Sequence, residues 1–529
     1  MIKWLPALFL IAAVAAHGTD IEALDALYAT PHPTLLWSAR GRASTQAFEL
    51  SAILRAADTF GLQPGDYDAD VIAATLDRLS HDVATEQEWM EFDKRLSRAA
   101  MRLVTHLHVG RVDPRAAGFE LQEKRAALDL PALLRKVASA THVKDEIGAV
   151  EPAFYHYALL KAALARYRVL AQDDSLTQLP EVGQHTLRVG DPYEGAPALR
   201  RLLTALGDLP VAASLPPELQ QRLDPGLIDA LKKFQARHGL APEGSLGSQT
   251  FASLRTPLAQ RVRQIELTLE RWRWLPPFAT PPIVVNIPQF RLFAFRTVAD
   301  RVADIMQMDV IVGQTYPRMQ TPIFIGEMKR VIFRPYWDVP RSITLHEMLP
   351  HIRNNPNYLQ RENLQIVRGE SDAGEVLAPN AAAIAELAAG KVRLRQRPGS
   401  DNALGLVKFL FPNAHNVYMH STPAHELFAR PRRAFSHGCI RVSDPSALAM
   451  FVLKNAATPW DEARIAAAMQ GPASTRVELK LPIRVMILYA TAQATEAGPI
   501  EFFGDLYGHD RRLEGLLGLA PVHGTNTLR

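Results

Sequence analysis

Val417-Tyr418-Met419-His420 and, beyond residues 421–435, Ser436-His437-Gly438-Cys439-Ile440-Arg441 are the segments whose reading decides this chain. The first is an apolar-led strand that ends on a histidine. The second places a glycine directly before the single cysteine of the sequence. A thiol attacks as thiolate, and cationic or hydrogen-bonding neighbours raise the thiolate population. An imidazole takes that proton and returns it to a leaving amine. Gly438 allows a tight backbone in which the Cys439 amide, together with that of Gly438, points at a developing oxyanion. His420 is the preferred base, while His437 and Ser436 orient the turn or line the site. The plain alternative for Cys439 is a buried inert thiol. Its polar setting, flanked by Arg430, Arg432, Arg433 and Arg441, argues against that. Zinc is the alternative for the histidines His415, His420, His425 and His437. It rests on count alone, because His425-Glu426 is followed by Leu427, Phe428 and Ala429 and no H-E-x-x-H helix exists, so no metal is assigned.

Working outward, the apolar period is two on both sides of these segments. Strands are expected at Ile283–Ile287, Phe290–Phe295, Met306–Val312 and Met328–Phe333, and closing strands at Val477–Lys480 and Ile483–Tyr489. A helix is expected over Pro445–Lys454. Between Arg341 and Pro398 the helical pattern returns, notably at Ala381–Ala389, which marks an insertion within the β-domain. Before the break Leu275-Pro276-Pro277 the chain reads as helical. Leu159, Leu160, Ala163, Leu164 and Tyr167 lie at helical spacing, as do Leu227, Leu231 and Phe234 in a small unit that His238-Gly239 and a Ser248 cap divide. Asp66, Asp68 and Asp70 mimic the opening of a calcium loop, but Val71 stands where glycine is needed and Asp77 where glutamate is, so a solvated turn is expected.

With 529 residues the chain is too long for one core, and two to four domains are expected. Its 47 % apolar and 22 % charged residues exclude collagen-like, disordered and polytopic membrane classes. A net charge of +4 is too small for a dedicated nucleic-acid binder. One cysteine permits no intrachain disulfide and no Cys-rich zinc site. Lys3, the apolar run Trp4–Ala16 and the small residues Ala13 to Ala16 read as an export signal over 1–16. The run is shorter than the ~20 residues of a membrane-spanning helix, which favours cleavage, with an uncleaved anchor as the alternative. In an oxidising compartment a lone thiol is a liability unless it works.

The His420 segment followed by S-H-G-C resembles the signature of the L,D-transpeptidases, envelope enzymes that remodel peptidoglycan with a cysteine nucleophile. Arg397-Pro398-Gly399, Asn402-Ala403-Leu404-Gly405, Lys408-Phe409, Phe411-Pro412-Asn413, Tyr418-Met419-His420-Ser421-Thr422-Pro423, Pro335-Tyr336-Trp337-Asp338-Val339-Pro340 and Asp505-Leu506-Tyr507-Gly508-His509-Asp510 are similar to its large Gram-negative subgroup. The F-Q-x-x-H-G-L and E-G-x-x-G-x-x-T words near Phe234 and Glu243 resemble a peptidoglycan-binding-like domain, whose alternative is a spacer that binds nothing.

The resemblance implies an α+β multidomain chain. It comprises the signal 1–16, a helical scaffold 17–190, a three-helix peptidoglycan-binding-like domain 191–257 and a linker 258–280. A mainly β catalytic domain 281–490 with a helical capping insertion 341–398 follows, and then a C-terminal segment 491–529 packing on the scaffold. It also implies a periplasmic enzyme of cell-wall biogenesis and cell shape, open to carbapenem capture and requiring no cofactor. Its partners would be peptidoglycan stem peptides, and glycan strands through 191–257, with no nucleic acid. Cys439 would attack the diaminopimelate–D-alanine bond of a tetrapeptide stem, with His420 as base, Gly438 and Cys439 amides as oxyanion donors, and Tyr418 and His437 lining the pocket. Many members carry Asn where this chain has Arg441, so Arg441 either holds a carboxylate or braces the turn. Lys391, Arg393, Arg395 and Arg397 are expected to clamp an anionic stem. Hydrolysis by water, cleavage of crosslinks and a non-catalytic wall-binding role are the alternatives.

Overall fold

Amphipathic helices with apolar stripes build one unit of this protein, and strands of alternating polarity build the other. A computed structural model describes residues 22–29, 34–121, 125–183, 185–211, 216–300, 305–355, 357–496, 498–520 and 522. It divides into Met1–Pro277 with Tyr489–Arg529, and Phe278–Leu488. The expected export signal lies outside the described residues. Among the described residues no helix is long and apolar enough to cross a membrane.

In the first unit the helices Thr45–Arg55, Ala69–His81, Glu86–Val109 and Leu130–Ala138 close around Trp37, Leu50, Leu54, Ile72, Trp89 and Leu103. Thr85 starts the longest of them with a capping box. Its hydroxyl accepts from Glu88 N–H, and the Glu88 carboxylate accepts from Thr85 N–H at 2.9 Å. The calcium-like aspartates form a turn: Asp66 pairs with Arg111 at 3.0 Å and Asp70 faces Arg55 at 3.8 Å.

Residues 258–280, expected as a linker, are a correction. Leu258–Arg273 is a helix whose last turns are buried. Inside the fold the charges of its last turns have fixed partners. Arg273 donates to Tyr157 Oη at 3.1 Å, to Glu270 at 3.3 Å and to the Phe60 carbonyl. Glu270 accepts from Arg111 N–H at 2.5 Å and Val112 N–H at 3.0 Å, and Arg271 pairs with Asp510 at 2.6 Å. The helix His509–Leu516 adds Arg512 to the Ala116 carbonyl at 2.6 Å.

Ala196–Leu206, Pro225–Arg237 and Ser248–Leu254 form the small helical unit. Gly239, at φ +65°, follows the second helix. Ser248 is already helical and Gly247 is the cap, without a side-chain bond.

The second unit is a nine-stranded sheet of β1 (Ile283–Asn286), β2 (Arg291–Ala294), β3 (Met306–Gly313), β4 (Ile325–Phe333), β5 (Val407–Leu410), β6 (Met419–His420), β7 (Ala434–Ser436), β8 (Ile440–Val442) and β9 (Thr475–Leu488). Their order is β7-β3-β8-β6-β5-β4-β9-β1-β2, and β2 also pairs with β3, so the sheet closes on itself. The two closing strands expected near the end are one strand, β9. Its register shifts between Glu478 and Ile483, where Pro482 lacks the N–H that a ladder needs.

The insertion is likewise not only helical. Trp337–Asp338, Arg393–Gln396, Leu364–Arg368 and Glu375–Leu377 form a four-stranded sheet, and Ile343, Leu349, Ile366, Leu387 and Leu394 give it a core of its own. Short strands that carry arginines hide this from periodicity.

Arg273→Leu removes one partner of a buried ion pair and leaves Glu270 uncompensated. A loss of about 3–5 kcal/mol is expected from the helical unit, read as a lower urea midpoint by circular dichroism. A change below about 1 kcal/mol would show that the pair is not the tie described.

Candidate active site

Strands β5, β6 and β8 lie side by side, and their alternation sorts the chemistry. Phe409, Met419 and Ile440 are aligned in register and fully buried on the core face. Lys408, His420 and Arg441 are aligned on the opposite face. Tyr418 and Cys439 stand two residues before His420 and Arg441, so the two-residue period gives them that same face. The ladder continues to them through Ile440 N–H, which donates to the Tyr418 carbonyl at 3.1 Å.

Cys439 is half-buried, with Sγ 3.9 Å from the Asn416 carbonyl. Burial pushes its thiol up from the ordinary value. The Tyr418 amide, the Lys408 charge, the Tyr418 hydroxyl and the Arg441 charge oppose this, in that order, and the net direction stays upward. Tyr418 also accepts from the Trp337 indole, so the Pro335–Pro340 motif reaches the sulfur through one phenol. His420 is buried, and its Nδ1 lies 2.5 Å from the Ser421 carbonyl. A carbonyl only accepts, so Nδ1 carries the proton and Nε2 is the basic nitrogen. Burial, and then the Arg441 charge, hold this imidazole down to about 3.

The turn before the sulfur is fixed by two hydroxyls. Gly438 has φ +112°, a region that a side chain disfavours. Ser436 Oγ donates to the Cys439 carbonyl at 2.5 Å and accepts from Gly438 N–H at 3.1 Å. Thr321 Oγ1 donates to the Gly438 carbonyl at 2.9 Å and accepts from Gly313 N–H at 2.8 Å. The Gly438 amide, expected as an oxyanion donor, is therefore already committed to Ser436. That leaves the Cys439 amide as the donor of this turn.

His437 points to the insertion, with Nε2 3.0 Å from Glu347 Oε1. A second tie joins Asp372 of the insertion to Arg476 of β9. The expected basic clamp is corrected in part. Arg393 holds Asp338 and the Gly369 carbonyl, while Arg395 is buried, donates to the Asp372 carbonyl at 2.8 Å and lies 4.2 Å from the Tyr336 ring centroid. Both hold the insertion together. Arg433 braces Asp309 at 2.9 Å and the Phe290 carbonyl at 3.0 Å. Arg441 differs: its buried Nε makes no hydrogen bond among the described residues, and it faces Cys439 and Glu426.

His415 packs on Phe324 and His425 on Phe428, and no group of three or more His, Cys, Asp or Glu suited to a metal occurs among the described residues. Sequence reading missed Lys408, Thr321, Trp337 and Glu347 as site residues. Lys408 was detectable as the one charge in an apolar strand. Thr321 and Glu347 reach the turn only through tertiary contacts and carried no signal.

Comparison with known proteins gives three domain matches along the chain. Residues 281–462 match the L,D-transpeptidase catalytic domain, 22–164 the scaffold domain and 194–254 the "Putative peptidoglycan binding domain". A Haemophilus influenzae protein named "Putative L,D-transpeptidase" is 33 % identical over 281 residues, 52 % of this chain and 54 % of that relative. This chain thus spans about half the length of that relative. Residues 281–462 thus match the L,D-transpeptidase catalytic domain, with matches to the scaffold and peptidoglycan-binding domains before it.

Proposed function

We propose that the chain is a peptidoglycan L,D-transpeptidase of the cell envelope that works by acyl transfer through Cys439. The observation that carries this is the register of the paired strands β6 and β8, which sets His420 beside Arg441 with Tyr418 and Cys439 directly before the two strands. Sγ forms a bond to the carbonyl carbon between diaminopimelate and the terminal D-alanine of a tetrapeptide stem. His420 Nε2 takes the thiol proton and returns it to the departing D-alanine amine, leaving a thioester. The amine of a second stem then attacks the thioester, the S–C bond breaks, and the thiol is restored. Water in place of that amine gives a tripeptide, the carboxypeptidase outcome. The Cys439 amide supports the oxyanion, and the unbonded donor of Arg441 suits a stem carboxylate. The family match at 194–254 supports contact with glycan strands by that module. Export to the periplasm and, in turn, the role of residues 1–16 belong to the same reading.

Cys439→Ala should abolish turnover on muropeptides and covalent capture of a carbapenem, with an intact-mass adduct as readout. An adduct persisting in that variant would place the nucleophile elsewhere.

His420→Ala should slow acylation by roughly 10²–10⁴-fold, and His437→Ala by less, because His437 faces Glu347. Since His420 stays neutral down to about 3, kcat/KM should be flat between about pH 5 and 7, with its acid limb lower. An acid limb near the ordinary histidine value of about 6.5, or a larger loss in the His437 variant, would contradict the assignment.

The insertion contacts the nucleophile turn through Glu347, and we assign it the role of a lid that decides between amine and water. Ile384→Gly with Leu387→Gly loosens its core. The ratio of crosslinked dimer to hydrolysed tripeptide should then fall. An unchanged ratio in a folded variant would make the insertion a brace.

A further inference from the structure

The chemistry proposed for Cys439 leaves one charge unexplained. Lys408 sits on β5 directly across from His420, and its Nζ lies 3.8 Å from the centroid of the Tyr418 ring. Tyr418 in turn hydrogen-bonds the Cys439 sulfur through its hydroxyl. An ammonium on the face of a phenol is attracted by the ring and draws electron density from it, so the O–H becomes a stronger donor. The imidazole cannot serve as a standing counter-ion, because His420 binds a proton too weakly in its buried site. Burying an ammonium is costly, and one placed here should return that cost as function.

We propose that Lys408 is the positioning residue that holds Cys439 ready to ionise: its ammonium pins the Tyr418 ring, aims the phenol at the sulfur and balances the thiolate charge. The inference rests on Cys439 being the reactive thiol, and it adds the residue that tunes it. The other charged or titratable groups facing this cluster are His420 from β6, Arg441 from β8, Arg476 from β9 and Asp372 from the insertion, with Glu426 beyond Arg441. Arg441 adds a second, weaker pull on the sulfur, and Arg476 and Asp372 oppose one another beside Lys408. Burial lowers the proton affinity of Lys408, and the Cys439 charge raises it again, as a counter-ion pair requires.

The test reads the sulfur directly. The chain has a single cysteine, so the rate of iodoacetamide alkylation against pH reports Cys439 alone. Lys408→Met should move the midpoint of that profile up by about one to three pH units, slowing alkylation at pH 7 by roughly tenfold or more, and Lys408→Arg should restore most of it. An unmoved midpoint in a folded Lys408→Met protein would overturn the proposal. If that variant does not fold, the reciprocal measurement on the unaltered chain decides. With lysine labelled at the ε carbon, the NMR midpoint of Lys408 should fall once Cys439 is capped by iodoacetamide, and an unchanged midpoint would overturn the proposal. Neither readout needs turnover. Failure of the transpeptidase reading would instead appear as turnover that survives Cys439→Ala while these midpoints stay as expected.

Discussion

The parallel pairing of Met419 with Ile440 and His420 with Arg441 is the constraint on which the catalytic unit depends. A sheet face reverses at every residue, so a slip of one position would send His420 into the core and Met419 out to the site. The register is held from both sides. Phe409, Met419 and Ile440 are fully buried beneath it, and β5 and β3 flank the pair with their own ladders. Hydrophobic burial thereby fixes where the polar groups stand. Lys408, Tyr418, His420, Cys439 and Arg441 share a face because the residues between them belong inside.

A second layer turns that face into a site. The Ser436 and Thr321 hydroxyls bond three backbone groups of the Gly438–Cys439 turn, and among the described residues none bonds the Cys439 amide. Ordering a glycine-containing turn costs backbone entropy, and these bonds offset it before substrate arrives. Electrostatics completes the arrangement. Burial favours the neutral forms of Cys439 and His420 alike, so the sulfur depends on Tyr418, Lys408 and Arg441 for the stability of its anion. The Pro335–Pro340 motif adds Trp337 to the phenol, and the insertion adds Glu347 to His437, coupling its own core to the turn.

Much of this was legible from residues alone because the signals were local. Cys439 beside Gly438, His420 at a strand end and the change of period after Pro277 each rest on a few neighbouring positions. What escaped was set by tertiary partners. The Leu258–Arg273 helix looks like a solvated linker until Glu270, Arg271 and Arg273 find Arg111, Asp510 and Tyr157. The insertion hides its sheet because Arg393 and Arg395 spend their charges on Asp338 and on the Tyr336 ring. The Gly438 amide invited an oxyanion role until Ser436 claimed it. Polar residues with buried partners are the ones a periodicity reading places wrongly.

Acyl transfer through Cys439 requires that the stem be held there as a thioester. The most direct measurement incubates the unaltered chain with a tetrapeptide stem and no acceptor amine, quenches it in acid, and maps the adduct by peptide mass spectrometry. A tripeptide acyl group is expected on the peptide containing Cys439, lost on treatment with hydroxylamine, with one D-alanine released per adduct. D-Alanine release with no acyl group on that peptide, or with the group on another residue, would contradict it.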